Sequence, residues 1–221
     1  MAAIALMAAD PAWMNKPVSD WDQRDARQVL AGSPWVKYVI PAPLPAQSEA
    51  QRGDGGVMGG GRSVGLEAFA ASNLIGIGPR SRPEESDSSR DGPQPLAIRW
   101  ESALPVRNAE SRAGGQNPPR WNGEFYVIAV YGVQAPPHPK EFENELKRTS
   151  YLKLDKKLVQ PARVDIVPTG KGLARILYLF PRSRPITTES AQVEFIAEMG
   201  QYYVAQFFNP REMQLQGKLE L

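Results

Sequence analysis

The sequence has no cysteine and a single histidine, His138, among its 221 residues. The lack of cysteine excludes disulfide bridges, cysteine-based zinc sites, iron–sulfur clusters and thiolate nucleophiles, and one histidine cannot supply a site that needs two. No loop of the D-x-D-x-D-G type occurs, so the sequence predicts neither a metal site nor a cofactor. His138 lies between two prolines, which is typical of a surface or helix-capping residue rather than a catalyst.

The sequence also lacks an excess of one charge and any long apolar run. It has 26 Lys and Arg against 24 Asp and Glu, a formal charge of +2. Nucleic-acid-binding proteins concentrate positive charge to neutralise phosphates, so we expect no nucleic-acid partner. A bilayer-spanning helix needs about 20 apolar residues, and no such run is present, so we expect no integral membrane span. Neither of the two glycine-rich phosphate-binding patterns, G-x-x-x-x-G-K-[ST] and G-x-G-x-x-G, occurs in the sequence.

The first residues of the chain are apolar. Residues 2–9 contain only Ala, Ile, Leu and Met, and they are followed by Asp10 and Pro11. This pattern resembles the distal part of a signal peptide, although no Lys or Arg precedes Lys16. The stretch predicts export to the periplasm or the exterior; the alternative is a short apolar tail without a targeting role.

Proline and glycine are abundant: 21 Pro and 19 Gly make up about 18% of the 221 residues, whereas the two together make up about 12% of an average protein. The excess lies in residues 41–95, which hold 7 Pro and 10 Gly. Ordering such backbone costs about 1–2 kcal/mol per residue and little apolar surface offsets it, so this span is predicted to be a flexible linker or surface excursion, with one short helix at 64–71. The predicted organisation is a signal-peptide remnant or apolar tail (1–12), a helix and aromatic anchor segment (13–40), the linker (41–95) and a folded domain (96–221).

Residues 13–40 carry a compact helix pattern. Asp22 is a predicted N-cap with Asp25 three residues later, and Gly32 is a predicted stop. A short strand follows and ends before Pro41. Four aromatic residues are expected to dock this segment on the main body of the protein: Trp13, Trp21, Trp35 and Tyr38.

From residue 96 onward the pattern is that of a folded domain. Alternating apolar residues predict strands at 96–100, 163–167, 175–180, 193–199 and 202–208, and an apolar run predicts a central strand at 125–131. Ser102 is expected to cap a helix that runs to about residue 112, and His138 and Pro139 to open another. The predicted fold class is α+β, with a mostly antiparallel sheet, one or two helices on one face, and the N-terminal helix and long Pro/Gly-rich excursion as additions.

Residues 61–65 match the G-x-S-x-G pattern of a nucleophile elbow. In that motif a strand leads into a strained turn that exposes the serine, here Ser63. The order Ser63, Asp87 or Asp91, then His138 agrees with that of α/β-hydrolases. The preceding glycine-rich residues do not form a rigid strand pattern, however, and no βαβ pattern surrounds the motif. A hydrolase using Ser63 is therefore the alternative hypothesis.

A basic motif occurs twice, as Pro-Arg-Ser-Arg-Pro at 79–83 and 181–185. The second copy follows a predicted strand, which would present Arg182 and Arg184 at the end of a sheet. Forked guanidinium donors can hold a carboxylate or phosphate, so these two arginines are a possible anion-binding site. The alternative is a rigid basic turn with two solvated side chains.

Five stretches of the chain resemble a family of uncharacterised, predicted-exported bacterial proteins: the WDQ and SPW tripeptides at 21–23 and 33–35, RWESALPVR at 99–107, FPRS at 180–183 and QGKL at 216–219. The resemblance covers both ends and the C-terminal half but not residues 41–95. It implies export and a shared fold, and it implies no catalytic residue.

These observations together predict a non-enzymatic exported protein whose C-terminal α+β domain binds or packs with a partner in the cell envelope. The alternative is an enzyme, either the Ser63 hydrolase or one whose site is not visible in the sequence. A concave pocket with converging polar groups would favour the enzyme, whereas an exposed apolar patch or open sheet edge would favour interaction.

Overall fold

The computed structural model describes residues 11–44, 93–114 and 123–221 of the chain. The helices of this part are α1 (Gln23–Gly32), α2 (Leu104–Gly114) and α3 (Pro139–Thr149), with two short 3-10 helices, Ala12–Asn15 and Val18–Asp20, before α1. The strands are β1 (Val36–Val39), β2 (Ala42–Pro43), β3 (Leu96–Trp100), β4 (Phe125–Gln134), β5 (Ser150–Leu154), β6 (Lys157–Val159), β7 (Arg163–Gly170), β8 (Leu173–Pro181), β9 (Val193–Met199), β10 (Tyr202–Phe208), β11 (Gln214–Leu215) and β12 (Lys218–Leu219). The predicted α+β fold class with mostly antiparallel sheet is confirmed.

Helix α1 begins as its sequence predicts. The Asp25 amide donates to Asp22 Oδ1 at 2.8 Å and the Asp22 amide donates to Asp25 Oδ2 at 3.1 Å, a reciprocal capping box. These bonds satisfy two of the amides that a helix leaves unpaired at its start. The helix ends at Gly32, and its buried face contains Ala26 and Val29.

Helix α2 begins later than the predicted cap. It starts at Leu104, and the Ser102 hydroxyl accepts a hydrogen bond from the Val127 amide at 3.0 Å instead of capping the helix. The expectation for Ser102 is therefore wrong. The donor, the Val127 amide, belongs to the neighbouring strand β4, so the residues next to Ser102 in the sequence give no sign of this contact.

Ten of the described strands form two five-stranded antiparallel sheets rather than the one sheet expected, and β11 and β12 pair with each other. Sheet 1 has the order β1-β3-β4-β8-β7, and sheet 2 has the order β2-β10-β9-β5-β6. Strand β4 is the middle strand of sheet 1 and is buried on both faces, which confirms the central strand predicted from its continuous apolar run. A two-residue loop of Gly200 and Gln201 joins β9 to β10. Gly200 has a positive φ of 62° and Gln201 has a negative φ, which is the pattern of a type II′ hairpin turn.

The N-terminal segment contributes to both sheets. Strand β1 pairs with β3 at the edge of sheet 1, and β2 pairs with Tyr202 and Tyr203 of β10 at the edge of sheet 2. The chain passes from one sheet to the other at Ile40 and the buried Pro41. Strand β2 lies within the 41–95 span that the sequence assigns to the linker.

The main core lies between the sheets. The ring centroids of Trp100 in sheet 1 and Phe208 in sheet 2 are 5.2 Å apart, and those of Tyr178 and Phe195 are 5.0 Å apart. Trp13, Trp21 and Trp35 are buried in the same cluster, as the predicted docking role requires. The fourth aromatic of that segment, Tyr38, is 58% exposed, so its predicted burial in the docking contact is wrong.

Helix α3 closes one side of the two-sheet structure. Glu143 Oε1 accepts a hydrogen bond from the Ile166 amide of β7 at 3.1 Å, and the Thr149 hydroxyl donates to the Glu198 oxygen of β9 at 3.1 Å. Leu146 is fully buried on the inner face of the helix, as its spacing from Phe142 predicts. The helix therefore connects the two sheets at this side.

Candidate functional site

On another side, the two sheets separate along a seam that we define as β1 and residues 204–208 of β10. Among the described residues, β1 pairs only with β3, and β10 beyond Tyr203 pairs only with β9. Each of these strands therefore has one edge that pairs with no strand of the described residues over this length. Unpaired strand edges present main-chain donors and acceptors to their surroundings.

The pairing registers give the direction of these main-chain groups. The Trp100 amide donates to the Trp35 oxygen at 2.9 Å, which extends the ladder between β1 and β3 by one pair. Because hydrogen-bonded and non-hydrogen-bonded pairs alternate in antiparallel ladders, the Tyr38 amide and carbonyl point away from β3. In a hairpin with a two-residue loop, the pair that closes the loop is hydrogen-bonded, and here that pair is Met199 and Tyr202. Counting alternate pairs along β10 from Tyr202, Phe207 is in a non-hydrogen-bonded pair, so its amide points away from β9.

The seam opens into a cleft of about 460 Å³. Lys37 lines it from β1, and Phe207 and Phe208 line it from β10. Phe207 is 55% exposed, and Tyr38 and Ile40 at the edge of sheet 1 are 58% and 67% exposed. Three large apolar side chains are thus accessible along two unpaired strand edges.

The polar wall of the cleft is formed by the loop after β10. Asn209 donates to Glu212 Oε1 at 2.8 Å and accepts from the Arg211 amide at 3.1 Å. The Arg211 Nε donates to the Thr188 oxygen at 3.3 Å. These hydrogen bonds to one another and to main chain fix the shape of this wall of the cleft.

A second notable cluster lies on the face of sheet 1 opposite to the main core. The Tyr131 hydroxyl is 2.6 Å from Glu101 Oε1 and 2.9 Å from Glu110 Oε1. Tyr131 belongs to β4, Glu101 lies in the turn after β3, and Glu110 belongs to α2. Two carboxyl groups from separate elements therefore meet at one hydroxyl. We call this the carboxyl–tyrosine cluster.

Two arginines complete the carboxyl–tyrosine cluster. Arg175 Nη1 donates to the Tyr131 hydroxyl at 3.2 Å, and Arg99 Nη1 is 3.5 Å from Glu110 Oε1. The Arg99 guanidinium carbon lies 4.4 Å from the centroid of the Tyr131 ring, a cation–π contact. The Nε atoms of both arginines are buried without a hydrogen-bond partner.

Burial governs the protonation of this cluster. Glu101 is only 2% exposed. Removal from water and then the nearby charge of Glu110 raise the pKa of Glu101 to about 8. Burial, followed by the charges of the two glutamates, also raises the pKa of Tyr131. The site can therefore hold a proton on a carboxyl group at neutral pH.

The structure gives the two predicted anion-binding arginines different surroundings. Arg182 donates from Nε to the Phe125 oxygen at 3.1 Å and from Nη2 to the main-chain oxygen of Leu221, and its guanidinium lies 4.3 Å from the Tyr126 ring centroid. Burial lowers the pKa of Arg182. Arg182 and Arg184 are both exposed at the level of the whole residue. The anion-binding role of these two arginines stays a prediction.

The other residues singled out in the sequence contribute little to these sites. Ser63, Asp87, Asp91, the 79–83 copy of the basic motif and the predicted helix at 64–71 lie outside the described residues. His138 is exposed at the N-cap of α3, and its side chain makes no capping bond. Within residues 11–44, 93–114 and 123–221, no three side chains of the types that ligate metals are grouped for a metal ion, and none of the helices has the length and apolar character to cross a membrane.

Sequence reasoning missed both sites. Glu101 lies inside the RWESALPVR stretch, but its partners Glu110 and Tyr131 are 9 and 30 residues away, so only the pairing of β3 with β4 and the path of α2 bring them together. Comparison of the chain with models of protein families, with curated proteins and with solved structures finds no match.

Proposed function

We propose that this protein is a non-enzymatic exported protein that binds an extended segment of a cell-envelope partner at the seam. The observation that carries the proposal is the pair of unpaired strand edges, β1 and residues 204–208 of β10, beside exposed Tyr38, Ile40 and Phe207. An extended chain that adds to a sheet edge gains main-chain hydrogen bonds, and its alternate side chains contact the flanking surface. The seam offers both features.

The other strand edges support the choice of the seam. The Ile166 amide of β7 already donates to Glu143, and Pro168 interrupts the donors of that strand. Strand β6 has only three residues and begins at Lys157. Short edge strands, lysine, proline and side-chain capping are the usual devices that prevent strand addition. Strand β1 is also short and contains Lys37, but it lies beside two exposed apolar side chains, Tyr38 and Ile40, and across from exposed Phe207.

The seam also indicates the chemistry of the partner. Lys37 and Arg211 line the cleft together with Glu189 and Glu212, so its lining has no net formal charge. A strongly acidic or basic partner therefore has no electrostatic advantage. The occupant we propose is a neutral extended segment of four to six residues with alternating apolar side chains, matched in length to β1.

Binding can be tested with a displayed library of unstructured nine-residue peptides. We expect selected peptides to share alternating apolar residues and to bind the purified full chain in a fluorescence polarisation assay. The variants Y38S and F207S should each weaken binding at least tenfold. The matched control is L158S, since Leu158 is a 47% exposed residue on the edge strand β6; this variant should bind like the wild type.

Two outcomes would overturn binding at the seam. One is a library that yields no binder; the other is a set of binders whose affinity is the same for Y38S, F207S and L158S. Methylation of alternate main-chain nitrogens of the peptide adds a test of strand addition, because it removes donors without removing side chains. There are two alternating sets of main-chain nitrogens, and in an added strand one set donates to the sheet edge. A peptide that keeps its affinity when either set is methylated in turn therefore does not bind as an added strand.

Export is a separate part of the proposal. It is supported by the apolar residues 2–9 and by the resemblance to predicted-exported proteins. Fractionation of cells that express the full-length gene, followed by N-terminal sequencing, tests it. We expect a processed chain outside the cytoplasm, and an intact Met1 in the cytoplasmic fraction would contradict export. If Ser63→Ala abolished an esterase activity, the alternative hydrolase would be favoured instead.

A further inference from the structure

The geometry of the carboxyl–tyrosine cluster determines how many protons its two glutamate carboxyl groups carry. A tyrosine hydroxyl has one proton to donate and can accept two hydrogen bonds. Arg175 donates one bond to Tyr131, and both glutamate oxygens lie within hydrogen-bond distance of the same hydroxyl. If both carboxyl groups were ionised, one of them would face a hydroxyl lone pair at less than 3 Å. One carboxyl group must therefore carry a proton for all three contacts to be favourable.

We propose that Glu101, Tyr131 and Glu110 form a proton-binding site in which Glu101 is a carboxylic acid at neutral pH. Glu101 then donates to Tyr131, and Tyr131 donates to Glu110. Glu101 carries the proton because it is 2% exposed, whereas the Glu110 side chain is 17% exposed and lies near Arg99. Of two neighbouring carboxyl groups, the more deeply buried one that forms no ion pair is the one that stays neutral.

The charged groups around Glu101 come from four elements of the described structure. They are Arg99 on β3, Glu110 on α2, Tyr131 on β4 and Arg175 on β8. Arg175 donates its hydrogen bond to Tyr131 and Arg99 lies in ion-pair distance of Glu110, so Glu101 receives only the longer-range charge of these two arginines. The cluster then carries a net charge of +1 in the protonated form.

Loss of the proton changes the contacts between these elements. Once Glu101 is ionised, two carboxylates compete for the single proton of Tyr131, and one contact to β4 is lost. The turn after β3 and helix α2 are the elements that these contacts hold on β4. The site therefore makes the attachment of α2 to sheet 1 dependent on pH in the mildly alkaline range.

Infrared and carbon-13 NMR spectra of the full chain labelled with glutamate test this proposal. We expect one protonated glutamate carboxyl signal at pH 7 that titrates with a midpoint near 8. The signal should be absent in Glu101→Gln and retained in Glu145→Gln, a matched change of an exposed glutamate on α3. Glu110→Gln should move the midpoint down, because it removes the neighbouring negative charge.

Two results would overturn the proposal. The first is a wild-type spectrum in which every glutamate is ionised by pH 6. The second is a protonated signal that survives in Glu101→Gln. If Glu101→Gln does not fold, the wild-type midpoint and its shift in Glu110→Gln decide the question, since neither needs the first variant. The proton-binding site can fail or stand independently of binding at the seam.

Discussion

The proton on Glu101 should make the stability of the protein depend on pH, and a single substitution should remove that contribution. The pKa of Glu101 is 4.5 without perturbation and about 8 in the folded protein. Between these values the folded state binds more protons than the unfolded state. The free energy of unfolding of the protein therefore falls as the pH rises from 4.5 to 8. Above pH 8, Glu101 causes no further decrease.

The size of this effect follows from the shift. Each unit of pKa difference corresponds to about 1.4 kcal/mol, so the contribution of Glu101 should fall by at most about 3–4 kcal/mol between pH 5 and pH 8. Glutamine at position 101 has no proton to lose, and its amide can donate to Tyr131 as the acid does. We therefore expect Glu101→Gln to have about wild-type stability at pH 5 and to exceed it at pH 8.

Urea denaturation at pH 5, 6, 7 and 8 measures this difference. Wild type, Glu101→Gln and Glu145→Gln should be compared at each pH, so that the titration of all other groups cancels in the difference. The gap between Glu101→Gln and wild type should widen steadily with pH, whereas Glu145→Gln should follow wild type. Parallel curves for Glu101→Gln and wild type, or a variant that is less stable at every pH, would refute the proton assignment.

The remaining predictions concern local contacts, and each is measured by urea denaturation at pH 7. Arg182→Ala removes two hydrogen bonds to main-chain oxygens and should lower the free energy of unfolding by about 1–2 kcal/mol, whereas Arg184→Ala should stay within about 0.5 kcal/mol of wild type; equal effects would contradict the structural role of Arg182. Asp22→Ala removes the acceptor of the capping box and should cost about 1 kcal/mol, so an unchanged midpoint would argue against the cap. Gly200→Ala should cost about 1–2 kcal/mol through its positive φ alone, because an added Cβ meets no atom within 4 Å, and Gly32→Ala is the control without a positive φ.

Much of the local structure could be predicted because it is encoded by neighbouring residues. The alternation at 96–100 gives β3, the pattern at 193–208 gives the hairpin of β9 and β10, and the Asp22 capping box gives the start of α1. The hairpin of β5 and β6 was not predicted. Its turn places Asp155 at a positive φ of 54°, a conformation that glycine adopts most easily. Because no glycine stands there, the sequence lacks the usual mark of a hairpin turn.

The arrangement of the strands could not be predicted in the same way. Strand β1 pairs with a strand about 60 residues later, and β2 pairs with one about 160 residues later, so two sheets arise where local patterns indicate strands for one. The exposure of Tyr38 has the same origin. Its three tryptophan neighbours face the core, but the partner strand fixes Tyr38 at an edge.

The candidate sites depend even more on these long-range pairings. A glutamate inside a helix pattern, such as Glu110, reads as a solvated residue until the fold brings it to the hydroxyl of Tyr131. The seam likewise exists only because β10 continues past the two residues that pair with β2. Composition excluded thiol chemistry and cysteine-based metal sites, and the spacing contained no known metal-loop or nucleotide motif, but neither contained a signal for the two sites found here.

Amide hydrogen exchange at Tyr38 tests the central claim most directly. The amide of this residue points away from β3 and pairs with no other strand of the described residues, so it should exchange rapidly in the free protein. A peptide selected from the library and bound by strand addition should slow this exchange at least tenfold, together with that of Phe207 or Ala205 across the seam. Binding that leaves the exchange of Tyr38 unchanged would contradict the account.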